Sequence, residues 1–151
     1  MVLLGNKKPN LYEELMESIS NYCKEHFNDK DMTQVVAYND IGIPILKSLK
    51  HYFDADYASC CNILWENRHV IYNIGGSRAQ QDIVDILALR SAKKSNNYSV
   101  MERLVSERIE RKPTSPQNHK WLGEILSNTN KREEASEEFN NYKLLIKGTI
   151  S

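Results

Sequence analysis

Leu11, Leu15, Ile19, Tyr22 and Cys23 recur three and four positions apart, which predicts an amphipathic helix over residues 11–27. Asn10 and Glu13 stand in capping-box order at its start. After the polar break Asn28-Asp29-Lys30-Asp31, the helical period resumes from Met32 to Phe53 through Val35, Val36, Ile41, Ile45, Leu46, Leu49 and Tyr52. Gly42 and Pro44 fall inside that stretch. Proline has no amide donor and its ring clashes with the preceding turn, so a kink or short break is expected there. Asp54-Ala55-Asp56 reads as a turn with Asp54 as a candidate cap, and Tyr57 to Tyr72 as the partner helix, with Cys60, Cys61, Leu64 and Trp65 on its buried side.

Gly75-Gly76-Ser77 is a stop-and-start signal: glycine takes the left-handed conformation that ends a helix, and serine caps the next. Ile83, Ile86, Leu87 and Leu89 then lead into basic Arg90, and Asn96-Asn97 breaks the run. Met101, Leu104, Val105 and Ile109 carry another helix to Lys112-Pro113. Ser115-Pro116 places a capping serine before a proline at the first helical position, opening a helix over 116–128 with Trp121, Leu122, Ile125 and Leu126. Asn130 and Glu133 form a second capping-box pattern before a helix over 131–147 that stops at Gly148. The expectation is an all-α fold of antiparallel helix hairpins joined by short polar loops.

The last third adds a repeat signal. His119-x-x-Leu122-Gly123-x-x-Leu126 is followed, twelve residues after the glycine, by Ala135-x-x-x-Phe139. That is the small-residue and large-apolar spacing of a tetratricopeptide helix hairpin, with Pro113 where the preceding repeat of about 34 residues ends. Gly123 and Ala135 are small where two backbones approach, and Leu122, Leu126 and Phe139 fill the space around them. Counting back one repeat reaches Leu89 and Met101, and Cys60 takes the small-residue role one hairpin earlier. The organisation expected is one helical-repeat domain: an N-terminal helical segment (11–40) and hairpins over 41–76, 77–113 and 114–148, stacked as a tetratricopeptide-like right-handed superhelix. Each hairpin buries part of its apolar surface against the next.

More specific wording lies in Gly42-Ile43-Pro44-Ile45, Asp56-Tyr57, Arg68, Ile74-Gly75-Gly76-Ser77-Arg78-Ala79-Gln80-Gln81-Asp82, Glu107-Arg108 and Lys112-Pro113-Thr114-Ser115-Pro116. Over about residues 33–127 this succession resembles the carboxyl-terminal region of the tetratricopeptide repeat protein 38 family. The resemblance implies an all-helical repeat protein with no assigned catalytic activity or cofactor, and a chain that is a fragment or a truncated member of a longer family. Ala55 stands where that family usually has glycine, and Cys60 where it has alanine.

Twenty basic residues balance twenty acidic ones, so no global field favours nucleic acid or an anionic membrane. Apolar residues at 40% and charged residues at 26% mark an ordinary globular composition. No apolar run approaches a membrane span, and Met1-Val2-Leu3-Leu4-Gly5 is too short and too soon charged for a secretory signal. Cys23, Cys60 and Cys61 offer neither a disulfide framework nor CxxC spacing, and read as buried reduced thiols of a cytoplasmic protein.

Candidate chemistry is sparse. The Gly75-Gly76-Ser77-Arg78 stretch lacks a Walker lysine and a preceding strand, so helix capping is its expected role. His26, His51, His69 and His119 lie on four helices without HxxxH or HExxH spacing, so no metal site is expected. Cys60 with His51 or His69 is the one conceivable nucleophile and base, but the cysteine holds a packing position. Trp65 and Trp121 are expected in the core. Arg90, Lys93 and Lys94 share a helix face, and Lys120 is placed in the same candidate peptide groove, where first helices of successive hairpins receive an acidic peptide. The expected function is a non-enzymatic protein–protein interaction module without cofactor, nucleic acid or membrane partner. The alternative is a structural cap or self-association element, such as a homodimer through an exposed repeat face.

Overall fold

A computed structural model describes residues 9–26, 33–71 and 78–148. The helices are α1 (Pro9–Glu25), α2 (Thr33–Ala37), a π-helical turn (Tyr38–Gly42), α3 (Ile43–Phe53), α4 (Tyr57–Ile71), α5 (Arg78–Lys94), α6 (Tyr98–Arg111), α7 (Pro116–Asn128) and α8 (Arg132–Ile146). No strand occurs among the described residues, and the fold is all-α. The expected break at Asn28–Asp31, the cap at Ser77, Tyr72 at the end of α4 and the Ile74-Gly75-Gly76-Ser77 stretch lie outside the described residues. The chain separates into two compact units, residues 1–95 and 96–151.

In the first unit, α3 packs on α4 and α4 on α5, while the π turn touches α1 and α4. The break expected at Gly42 and Pro44 is a widened turn rather than a stop. The Ile43 amide bonds the Tyr38 carbonyl, five residues back, and Pro44 enters α3 within its first two positions. Widening the turn just ahead of the proline accommodates a residue that cannot donate and whose ring crowds the turn before it. The core gathers Tyr12, Cys23, Val35, Ile41, Cys60, Cys61, Leu64, Ile71, Ala88, Leu89 and Ala92. Buried Ser48 donates to the Ile45 carbonyl at 2.7 Å, and buried Ser91 donates to the Leu87 carbonyl at 2.8 Å, so both hydroxyls are satisfied inside the core.

In the second unit, α7 packs on both α6 and α8. Gly123 lies where α7 meets α8: a Cβ there would stand 2.9 Å from Phe139 Cε1 and 3.0 Å from Cδ1. Asn118, 1% exposed, ties the end of α6 to the start of α7. Its amide donates to the Arg108 carbonyl (3.3 Å), and its oxygen accepts from Arg108 Nε (3.4 Å). His119 faces two acceptors, Glu138 Oε2 at 2.6 Å from Nδ1 and the Pro113 carbonyl at 2.8 Å from Nε2, and so ties α8 and the turn before α7 together.

The turns repeat. Among the described residues, Ala55, Asn96 and Asn130 are the non-glycine residues with positive φ (62°, 55° and 61°), spaced 41 and 34 residues apart. Each stands in a short connection, at Asp54–Asp56, Ser95–Asn97 and Thr129–Lys131. In the first and third, the amide three places past the helix bonds back into its last turn, Asp56 to the His51 carbonyl (2.8 Å) and Lys131 to that of Leu126 (2.9 Å), closing a left-handed helix terminus. Five residues after each left-handed residue comes a buried one: Cys60, Met101 and Ala135. Ser48, Leu89 and Gly123, at the same 41 and 34 spacing, are buried too.

Several expected caps shift. Asp56, not Asp54, caps α4: its carboxylate accepts the Ser59 amide at 3.2 Å, while Asp54 pairs with Lys50 at 2.6 Å. Hydrogen bonds from Ser59 hold the Asp56 carboxyl below its ordinary value, with His51 adding a smaller effect in the same direction. Asn130 is the left-handed residue and Lys131 the N-cap, without a side-chain bond, so the Asn130–Glu133 capping box does not form. Asn10 lies inside α1, and the Ser115 side chain makes no capping bond. Asn97 does cap α6, accepting the Val100 amide at 3.3 Å.

Ala55 carries a left-handed strain that glycine does not. Ala55→Gly is expected to raise stability by about 1 kcal/mol. Urea unfolding followed by far-UV circular dichroism measures it.

Candidate functional site

Arg90, Lys93 and Lys94 come together on the last turns of α5, all exposed. Lys94 is committed within the unit: Nζ lies 3.0 Å from the Tyr57 hydroxyl, which accepts, and 4.4 Å from the ring centroid. The hydrogen bond to Tyr57 pushes its pKa up, so the charge is held. Tyr57 in turn packs edge-on against Tyr52, with centroids 5.4 Å apart. Two turns before Arg90, on the same face, Ile83 is 60% exposed. Lys120 lies on α7 in the second unit, half-buried, with Nζ 5.9 Å from the Tyr142 centroid.

The tryptophans differ from expectation. Both are half-buried rather than core residues. The Arg68 guanidinium covers the Trp65 ring at 3.7 Å, and that of Arg108 lies 5.9 Å from the Trp121 centroid. Arginine over indole shields one ring face while leaving the other side open to neighbours.

The thiols are enclosed. Cys60 is 0% and Cys61 1% exposed, and Ser91 Oγ lies 3.0 Å from Cys60 Sγ. Burial raises both, Cys61 to about 11, with the adjacent Cys60 adding to the shift. A thiolate nucleophile needs an accessible, electropositive setting, and these sulfurs have the opposite. His51 is engaged by Asp56 Oδ2 at 2.9 Å and His69 by Arg68 Nε at 3.2 Å. Among the described residues no group of three histidines, cysteines or acids converges as a metal site. Iodoacetamide at mildly alkaline pH is expected to leave Cys61 unmodified in the folded protein and to modify it readily in urea. A raised thiol pKa also makes stability full below the ordinary value of 9.0 and lost as pH climbs through about 11.

Two surface features were missed by sequence reasoning. One is a polar trough of about 760 Å³ along α6 and the α7–α8 turn, lined by Glu102, Arg103, Glu107, Glu110 and Lys131. Its charges are largely internal pairs, Lys131–Glu102 at 2.6 Å and Arg103–Glu107 at 2.9 Å. The other is an apolar groove of about 480 Å³ between α1 and the π turn, lined by Leu15, Ile19, Tyr22, Gln34 and Tyr38. The sequence carried a trace of it: Leu11 and Leu15 belong to the stripe expected to be buried, yet they are 38% and 37% exposed. Among the described residues no helix is long and apolar enough to cross a membrane. No family model matches the chain, and no solved structure matches it.

Proposed function

We propose that the chain is a non-enzymatic, tetratricopeptide-like helical-repeat module that binds an acidic peptide or protein partner along α5. The observation carrying this reading is the common register of the three turns. A left-handed residue at 55, 96 and 130 is followed five places later by a buried residue each time. Repetition of that kind belongs to arrays of helix pairs, whose open faces hold other macromolecules. The resemblance of residues 33–127 to the tetratricopeptide repeat protein 38 family supports the same packing.

On α5, Arg90 and Lys93 supply charge, Lys94 is anchored by Tyr57, and Ile83 adds an apolar contact on the same face. Arginine recognises carboxylates through two parallel hydrogen bonds, which makes Arg90 the leading contact. Binding of fluorescein-labelled Asp/Glu-rich peptides, read by anisotropy, tests the assignment. Arg90→Glu with Lys93→Glu should reduce affinity roughly a hundredfold, as expected for losing two charge-assisted contacts. Helicity and melting should be unchanged, because both positions are exposed. Lys120→Glu, tested separately, reports whether α7 contributes. Equal binding by wild type and the α5 variant would refute the assignment.

A further inference from the structure

The cations at the end of α5 stand without a carboxylate beside them. Elsewhere Lys50 is paired with Asp54 at 2.6 Å, Arg103 with Glu107 at 2.9 Å and Lys131 with Glu102 at 2.6 Å. On α5 the side chains one turn from Arg90 are those of Ile86, Leu87, Lys93 and Lys94, and none of them is acidic. Asp56, next to Tyr57 at the start of α4, turns its carboxylate to the Ser59 amide (3.2 Å) and to His51 Nδ1 (2.9 Å). The contact between Lys94 and Tyr57 also leaves hydrogens over. Lys94 Nζ donates one of its three to the Tyr57 hydroxyl, which accepts and keeps its own. Among the described residues neither that hydroxyl hydrogen nor the Arg90 guanidinium has an acceptor.

We propose that Arg90, Lys94 and Tyr57 together hold a phosphate monoester, the side chain of a phosphoserine in the partner peptide. This rests on the assignment of peptide binding to α5 and names the anion bound there. Arg90 and Lys94 are one turn apart on the same exposed face, about 6 Å along the helix axis. The fork of Arg90 donates to two phosphate oxygens, and Lys94 and the Tyr57 hydroxyl donate to the oxygens on the side toward α4. Donors from three residues outnumber the two oxygens of a carboxylate. A phosphate presents three terminal oxygens and close to two negative charges, against the two positive charges of Arg90 and Lys94. Tyr57, on a different helix and 37 positions earlier in the chain, thereby becomes part of the site.

Fluorescence anisotropy of the full chain with three versions of one labelled Asp/Glu-rich peptide tests it: a central phosphoserine, glutamate in its place, and serine in its place. The phosphoserine form should bind roughly tenfold tighter than the glutamate form, and the serine form weakest of the three. Tyr57→Phe keeps the ring against Lys94 and removes only the hydroxyl. It should weaken the phosphoserine peptide about tenfold and the glutamate peptide far less, with an unchanged melting curve. Arg90→Lys keeps the charge and loses the fork, and should also cost the phosphoserine peptide about tenfold. Equal binding of the phosphoserine and glutamate forms overturns the phosphate assignment while leaving peptide binding on α5 standing. Binding of none of the three overturns both. Phosphoserine binding that is indifferent to Tyr57→Phe, or to Arg90→Lys, overturns the proposed site even where the phosphate preference holds.

Discussion

Gly123→Leu is expected to destabilise the second unit by about 3 kcal/mol, at the upper end of overpacking effects. The cause is one contact. The first carbon of any side chain at this position arrives 2.9–3.1 Å from three carbons of the Phe139 ring, and leucine adds three more carbons in the same direction. Gly123→Ala is the sharper case because two effects oppose. Alanine gains about 1 kcal/mol of helix propensity over glycine, and loses it again by displacing the ring. Phe139 is half-buried, so the ring yields part of the way and the net change is small. In a Phe139→Ala background the clash is gone, and Gly123→Ala should become stabilising by about 1 kcal/mol. Urea unfolding of a Trp65→Phe chain, with Trp121 fluorescence reporting the second unit, measures all four corners of that cycle. Additivity would mean that the ring does not set the α7–α8 approach.

The other large effect belongs to the first unit. Leu64→Ala should cost about 2–5 kcal/mol, the span seen when a fully buried leucine is cut to alanine. Leu64 is 1% exposed and lies one helical turn past Cys60 on α4, the helix packed against both α3 and α5. Its removal leaves a cavity that the unit cannot close without moving one of three helices. Ile83→Ala is the control. That side chain is 60% exposed, and its loss should change stability by less than about 0.5 kcal/mol. Trp65 fluorescence in a Trp121→Phe chain follows the unit directly. Equal effects at positions 64 and 83 would contradict the assigned core.

Helix positions were legible because apolar spacing and turn chemistry agree. The expected 116–128 coincides with Pro116–Asn128, where proline opens the helix, and 131–147 differs from Arg132–Ile146 by one residue at each end. Caps were less legible. Asp54 and Asp56 are chemically equivalent in sequence, and only the left-handed Ala55 between them decides which one faces the amides of α4. The same geometry makes Asn130 the turn residue rather than the cap. Pro44 signalled a disturbance but not its form, since a widened turn and a broken helix both relieve the same clash. The surfaces were least legible. Periodicity marks a stripe such as Leu11–Leu15–Tyr22 as apolar, and it carries no information on whether another element covers it. Likewise Lys94 reads as a free cation until Tyr57, 37 positions earlier in the chain, is seen to hold it.

Nitrogen-15-labelled protein titrated with an Asp/Glu-rich peptide, followed by amide chemical shifts, tests the interaction-module account most directly. The account predicts saturable shifts centred on Ile83, Arg90 and Lys93 of α5, lost in Arg90→Glu/Lys93→Glu. Shifts centred elsewhere, on α4 around Cys60 and Cys61, or none on α5 at saturation, would contradict it.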